Sequence, residues 1–174
     1  MQVLDADLQT KIGAELHRVE ENTLYSSKAQ YNASDRYSGR HVWLGVPAAA
    51  LSAAAGAASF SGQWELVAGM MSIAVAILAS LQTFMKPSEQ ASAHKAAGDQ
   101  FLALRNDARV MREIKLPLLT DPQETVTALE TLVKRQNDLN ASSPQVARRD
   151  FERARNGIEG GEATNVIDAQ GAKP

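Results

Sequence analysis

The distribution of charge along the chain constrains its fold more than any other feature. Lysine and arginine together number 18, and aspartate and glutamate number 20. Between Arg40 and Lys86, however, the sequence carries a single formal charge, at Glu65. A helix on the surface of a soluble protein rarely lacks a charged face over about five turns. The window therefore predicts helices whose surroundings are apolar rather than aqueous.

The uncharged window divides into two apolar segments of similar length, residues 42–60 and 66–84. At a helical rise of about 1.5 Å per residue each is about 29 Å long, close to the hydrocarbon core of about 30 Å. The joint at residues 61–65 begins with turn-forming Ser and Gly. The pattern predicts an all-α membrane protein with a two-span transmembrane helical hairpin at residues 41–86 and long cytoplasmic N- and C-terminal helices.

A buried helical hairpin inside a soluble bundle is the competing interpretation, because the first segment is rich in alanine, a weak membrane residue. Residue types that anchor helices at membrane interfaces nevertheless stand at the ends of the segments: Trp43, Trp64, Arg40 and Lys86. All lysines and arginines lie outside the two apolar segments and the joint between them. The positive-inside rule then predicts that both termini are cytoplasmic.

Small residues recur every four positions in both segments, and such rows let helices approach closely. The candidate span-packing or pore-lining residues are Ala68, Ser72, Ala76, Ser80 and Thr83 in the second segment and Gly45, Ala49 and Ala53 in the first. They either pack the two spans against each other or form the weakly polar face of an oligomeric pore, and the sequence leaves both open. The segments contain no acid, lysine or arginine, which argues against a proton-coupled transporter or a voltage sensor.

The remaining chain is predicted to be helical on both sides of the hairpin. Residues 1–40 form an amino-terminal helix leading to the first span, residues 87–158 form carboxy-terminal helices, and residues 159–174 read as a disordered tail. A coiled-coil-like seam with spacings of three and four is the candidate oligomer seam: Ala97, Phe101, Leu104, Ala108 and Met111. Its partner is the amino-terminal helix or a neighbouring subunit, and the sequence does not decide between them.

Composition argues against covalent or metal chemistry. The chain has no cysteine, and its histidines (His17, His41 and His94) stand in separate segments without carboxylates at metal-ligand spacing. The glycines form no phosphate-cradling loop. A net charge of −2 offers no basic excess for nucleic acid. We expect no catalytic residue, no metal, no cofactor and no direct nucleic-acid binding, and we expect that the protein is not an enzyme.

Several short stretches, in this order, are similar to signatures of the SLATT family, the SMODS- and SLOG-associating two-transmembrane effector domains. They are residues 27–33 (SKAQYNA), residues 41–47 (HVWLGVP), residues 81–89 (LQTFMKPSE) with His94, Ala97, Phe101 and Leu104, and Leu139-Asn140 with Pro144, Val146 and Phe151. The likeness covers about residues 10–158. None of these motifs is a catalytic signature, and it is their order that is specific.

The resemblance implies an oligomeric effector in the bacterial inner membrane that belongs to a conflict or antiphage system. On activation such an effector is expected to form a pore or disrupt the membrane and so cause cell suicide. The implied partners are the lipid bilayer, further copies of the chain, and a nucleotide-signalling or reverse-transcriptase protein encoded nearby. The alternative is a membrane-anchored coiled-coil scaffold that recruits a cytoplasmic partner.

Overall fold

The computed structural model describes residues 5–60 and 64–164. Over those residues the chain is helical and without strands, which confirms the predicted all-α class. The elements are α1 Ala6–Ser59, α2 Glu65–Met85, α3 Pro87–Val110, a π-helical turn Met111–Lys115, α4 Pro122–Ser142 and α5 Arg148–Glu159. The chain forms two compact units. We call residues 34–92 the hairpin unit and the rest of the described chain the bundle unit.

The first helix is continuous through two segments of the predicted domain organisation. α1 contains both the predicted amino-terminal helix and the first predicted span. Pro47 therefore lies deep inside a helix. Because proline has no N–H, the carbonyl of Trp43 lacks its usual donor four residues on, which makes this position a local weak point of α1.

The second helix ends where the sequence places the end of the second span. Lys86 adopts a left-handed conformation with φ of 43°, a geometry unfavourable for a residue with a Cβ. Its N–H donates to the Gln82 carbonyl at 3.0 Å. Pro87 follows as the first residue of α3, a position where its missing N–H costs nothing. Residues 61–63 of the predicted joint lie outside the described residues, and Glu65 begins α2.

The bundle unit has an apolar core in which α1, α3 and α4 meet. The core forms two adjoining clusters, whose buried members are Val19, Phe101, Leu104, Ala108 and Leu139 in one and Ile12, Leu16, Met111 and Leu116 in the other. Leu16 and Leu104 are 0 % exposed. Leu132 of α4 packs against both clusters. A continuous core of this kind is what stabilises a bundle in water.

The predicted seam, on α3 and the first residue of the π-helical turn, is buried. All five of its residues are at most 5 % exposed: Ala97, Phe101, Leu104, Ala108 and Met111. Their neighbours include Val19 and Leu16 of α1 and Leu139 of α4. Of the two partners that the sequence left open, the structure places the amino-terminal helix against the seam. The seam is therefore covered by α1 and α4 of its own chain.

The first turns of α4 and α5 are stabilised in different ways. Asp121 caps α4, because its carboxylate accepts from the Gln123 N–H at 2.9 Å and Pro122 occupies the first helical position. α5, in contrast, begins at Arg148 without a side-chain cap, four residues after Pro144. Tertiary contacts hold the preceding segment, since Gln30 Nε2 donates to the Pro144 carbonyl at 2.9 Å.

The predicted disordered tail is only partly described. After α5 the chain makes hydrogen-bonded turns up to Thr164, including Glu162 N–H to the Gly157 carbonyl at 3.0 Å. The Glu162 carboxylate also pairs with Lys28 Nζ of α1 at 3.0 Å. This part of the tail is therefore folded against the bundle unit. Residues 165–174 lie outside the described residues.

Candidate functional site

The hairpin unit turns its large apolar side chains outward. The exposed ones are Val42, Trp43, Val46, Phe60, Trp64, Leu66, Met70, Ile73, Ile77, Leu81, Phe84 and Met85. The two helices that are long and apolar enough to cross a membrane have apolar windows only 6 % buried. The core helix of a soluble protein would bury most of such a window. These helices therefore have the surface of membrane spans rather than of a soluble core.

Three faces can be distinguished around α2 at about 100° per residue. One face packs within the hairpin and is buried or half-buried: Val67, Ala68, Met71, Ala74, Val75, Leu78 and Gln82. A second face is exposed and large: Leu66, Met70, Ile73, Ile77, Leu81 and Phe84. The third face is exposed and small: Gly69, Ser72, Ala76, Ala79, Ser80 and Thr83. We call the third group the small face.

The hairpin does not use the small face for its own packing. Of the predicted row only Ala68 is buried, whereas Ser72, Ala76, Ser80 and Thr83 are exposed. Their hydroxyl groups bond within α2 instead. Ser72 Oγ donates to the carbonyl four residues earlier at 2.9 Å, and Ser80 and Thr83 do the same at 2.8 and 3.0 Å. The row therefore remains a free, weakly polar surface.

The small residues of the first span are divided between two environments. Gly45 is half-buried, and a Cβ built on it would lie 2.9 Å from Gln82 Nε2. The absence of a side chain there lets the Gln82 amide approach α1, where it donates to the His41 carbonyl at 3.4 Å. Ala49 and Ala53, in contrast, are exposed. The glycine thus serves hairpin packing, and the two alanines do not.

The predicted interface anchors stand near the ends of the apolar surface. Trp43 and Trp64 are both exposed, at 80 % and 56 %. The Arg40 guanidinium carbon lies 5.3 Å from the centre of the Tyr37 ring. Lys86 Nζ pairs with the Glu89 carboxylate at 3.1 Å in a solvent-exposed bridge. Indole, tyrosine and cationic groups in these places are typical of membrane boundaries.

The bundle unit contains a buried histidine, and the sequence pattern alone did not predict its burial. His94 is 1 % exposed, and its Nδ1 lies 2.6 Å from Gln30 Oε1. The Gln30 amide in turn donates to the Pro144 carbonyl. His94 continues the three-and-four spacing of the seam, and that spacing was the available signal. It ties α3 to α1 and to the segment before α5.

A surface cluster joins α1 to α3 beside that histidine. The Tyr31 hydroxyl donates to Asp99 Oδ1 at 2.7 Å, and Lys95 Nζ donates to Asp99 Oδ2 at 2.8 Å. Burial, and then the Asp99 carboxylate, raise the pKa of Tyr31 to about 12. The Lys95 and Tyr31 hydrogen bonds lower the pKa of Asp99. Gly98 makes room for the Tyr31 ring, because a Cβ there would lie 2.9 Å from it.

The bundle unit also contains a nearly buried ion pair. Glu20 accepts from Arg112 Nε at 2.6 Å and from Arg112 Nη2 at 3.1 Å, which is a bidentate arrangement. The Glu20 hydrogen bond is the main cause of the raised pKa of Arg112. Arg112 belongs to the π-helical turn, so this pair fixes that turn against α1. No three metal-ligating side chains converge within residues 5–60 and 64–164.

The sequence of the chain matches the model of a known protein family. Residues 12–169 match the family model described as SMODS and SLOG-associating 2TM effector domain family 4. The match spans nearly the whole chain and includes both membrane-span candidates and the bundle unit. Neither a curated protein nor a solved structure matches the chain.

Proposed function

The chain belongs to this family of two-transmembrane effector domains, and from that premise we propose that it is an oligomeric effector of a bacterial conflict system in the inner membrane. On activation its spans form a pore or disrupt the membrane, and the infected cell dies. Both termini lie in the cytoplasm, and the trigger comes from a nucleotide-signalling or reverse-transcriptase partner encoded nearby. The effector acts physically on the membrane and is not an enzyme.

The observation that carries this proposal is the free small face of α2. Lipid tails are as apolar as leucine, so helices associate in a membrane mainly where small residues let their backbones approach. Ser72, Ala76 and Ser80 offer such a surface and are not occupied by the hairpin. The large face beside it suits lipid. A second copy packed against the small face is therefore the most favourable way to cover it.

The chemistry of the small face also suits a water-filled path. Ser72, Ser80 and Thr83 bond to their own helix, which satisfies the hydroxyl hydrogen in an apolar setting. Each oxygen keeps a lone pair that can accept from water. The same face thus tolerates lipid or helix packing at rest and water when an oligomer rearranges. This property supports a pore that opens on activation.

The experiment is dye release from liposomes containing the purified chain, under conditions in which the wild type leaks. The test variants are Ser72→Leu, Ala76→Leu and Ser80→Leu, because added bulk prevents close packing at the small face. The size control is Ala54→Leu, at an exposed alanine of the other span outside the predicted row. We expect leakage to fall in the three test variants and to persist in the control. Unchanged leakage in all three would remove the small face from the mechanism.

The scaffold alternative predicts oligomers without leakage. It relied on the α3 seam, which is occupied by α1 and α4 of the same chain. Cross-linking in the same liposomes separates the two functions. A chain that assembles but releases no dye under any trigger supports the scaffold and contradicts the effector proposal.

A further inference from the structure

A polar cleft lies on the bundle unit where α1, α4 and α5 meet. Its volume is about 540 Å³, within the range of about 300–1,000 Å³ typical of small-molecule sites. A second cavity of about 250 Å³ adjoins it and shares Ser26, Asn140 and Phe151 as lining residues. The cleft is remote in sequence from the spans, and nothing in the proposed pore function uses it.

One part of the cleft is aromatic. The rings of Tyr25 and Phe151 lie 6.3 Å apart between centroids and are tilted by 32°. Phe151 is 39 % exposed although it is a large apolar residue. A partly exposed ring beside a second ring offers an aromatic contact for a planar ligand, and such contacts are worth about 1–3 kcal/mol per base in proteins that stack nucleobases.

A guanidinium lies at the same place. Arg155 is one helical turn after Phe151 on α5, and its guanidinium carbon is 5.6 Å from the centre of the Phe151 ring. Within residues 5–60 and 64–164 it forms no ion pair, whereas Arg148 of the same helix is paired with Glu152 at 2.7 Å. The planar fork of Arg155 is therefore available for an anionic group, and such forks bind phosphate in a bidentate manner.

Side-chain amides complete the lining. Asn22 of α1 and Gln136 and Asn140 of α4 each offer donors and an acceptor. Glu21 lines the same cleft and can accept from N–H groups. Together these groups match the edge of a heterocycle, which presents donors and acceptors in its plane. A purely apolar ligand would leave them without partners, at a free-energy cost.

We propose that this cleft binds a planar heteroaromatic ligand with a phosphate group, of the size of a nucleoside monophosphate. The ring stacks on Phe151 beside Tyr25, the phosphate pairs with Arg155, and the amides of α1 and α4 contact the edge of the ring. The inference goes beyond the proposed function, because binding at the cleft does not require the spans to open.

The experiment is isothermal titration of the full chain in detergent micelles with each common ribonucleoside monophosphate. We expect at least one of them to bind with a Kd of about 1 mM or below. Two partial ligands separate the recognition elements: ribose phosphate lacks the ring, and the nucleoside lacks the phosphate. Both should bind at least about tenfold more weakly than the whole ligand. Equal binding of either partial ligand would overturn the proposed recognition.

Two substitutions test the residues that are proposed to bind the phosphate and the ring. Arg155→Gln should weaken binding about tenfold or more, and Phe151→Leu should weaken it about fivefold or more. Arg153→Gln is the control, since Arg153 is an exposed arginine of the same helix that does not line the cleft. Circular dichroism confirms that each variant is folded. An equal loss in Arg153→Gln, or no binding by any nucleotide, would overturn the proposal. Dye release is measured separately, so failure here is distinguishable from failure of the pore proposal.

Discussion

The bundle unit and the hairpin unit place the same kinds of side chain on opposite sides. In the bundle unit α1, α3 and α4 bury an apolar core that includes Leu16, Leu104 and Leu139, although a few apolar side chains such as Leu102 and Val110 are exposed. In the hairpin unit the largest apolar side chains are outside, and the buried positions are mostly small or medium-sized residues. This is the distribution of side chains expected if water surrounds the bundle unit and lipid surrounds the hairpin unit.

Hydroxyl groups bond to their own helix in both units, as Thr23 Oγ1 does to the Val19 carbonyl at 2.6 Å in the bundle unit. The two units differ in their buried charged and polar side chains. The bundle unit buries charged and polar side chains with partners, such as Glu20 with Arg112 and His94 with Gln30. In α2 the hydroxyls of Ser72, Ser80 and Thr83 bond to their own helix. Inside a bilayer no water satisfies a polar group, so bonds within the helix are the least costly arrangement. The predictions below change one unit at a time.

The largest effect is expected from a core substitution in the bundle unit. Leu104→Ala removes a fully buried side chain and should lower the free energy of unfolding by about 2–5 kcal/mol. Ile77→Ala, in the exposed large face of α2, should cost less than about 1 kcal/mol, because no packed cavity forms. Thermal unfolding followed by circular dichroism in micelles compares them. A larger loss for Ile77→Ala would mean that α2 is a core helix.

The next effect concerns a charge in the hairpin unit. Ile77→Lys should oppose membrane insertion by about 3 kcal/mol, because the residue lies near the middle of α2. The matched control is Thr127→Lys, at an exposed position of α4, where a surface change costs about 0.5 kcal/mol or less. The measurement is the fraction of protein that remains in membranes after an alkaline wash. Equal retention of both variants in the membrane would contradict the claim that lipid surrounds only the hairpin unit.

Sequence periodicity predicted much of this division and failed in specific places. The uncharged window identified the two helices that are long and apolar enough to cross a membrane, because charge is excluded from segments that lie in lipid. Spacing also identified the α3 seam, but one helix face does not reveal which helix covers it. For the same reason the row from Ser72 to Ser80 could not be assigned to hairpin packing or to a free surface. His94 was missed because burial of a polar side chain depends on a distant partner, Gln30.

A smaller effect is expected from the ion pair in the bundle unit. Glu20→Gln keeps the size of the side chain and removes the charge that Arg112 meets in a mostly buried setting. The loss in unfolding free energy should be about 1.5–3 kcal/mol, the value of a hydrogen bond to a charged group. Glu15→Gln is the control, since its partner Arg18 is exposed and such pairs contribute about 0–1 kcal/mol. Equal losses of unfolding free energy in Glu20→Gln and Glu15→Gln would show that burial does not strengthen the pair of Glu20 with Arg112.

The smallest effect is a pH dependence at the surface of the bundle unit. The raised pKa of Tyr31 means that folding favours the neutral phenol. Its contribution is present below the ordinary tyrosine pKa of about 10 and is lost as the pH rises towards about 12. Tyr31→Phe should cost about 1 kcal/mol at neutral pH, and the difference from wild type should shrink over that alkaline range. Unfolding curves at several pH values measure it, and a difference that grows with pH would contradict the assignment.

The central claim is that lipid surrounds the hairpin unit while water surrounds the bundle unit. The chain has no cysteine, so single cysteines can be introduced and spin-labelled without background. Labels at Ile77→Cys and Thr127→Cys in lipid bilayers are compared by their collisions with oxygen and with a water-soluble nickel chelate. The account predicts that oxygen reaches the label at position 77 and the chelate does not, with the reverse at position 127. Equal access of the chelate to both labels would contradict it.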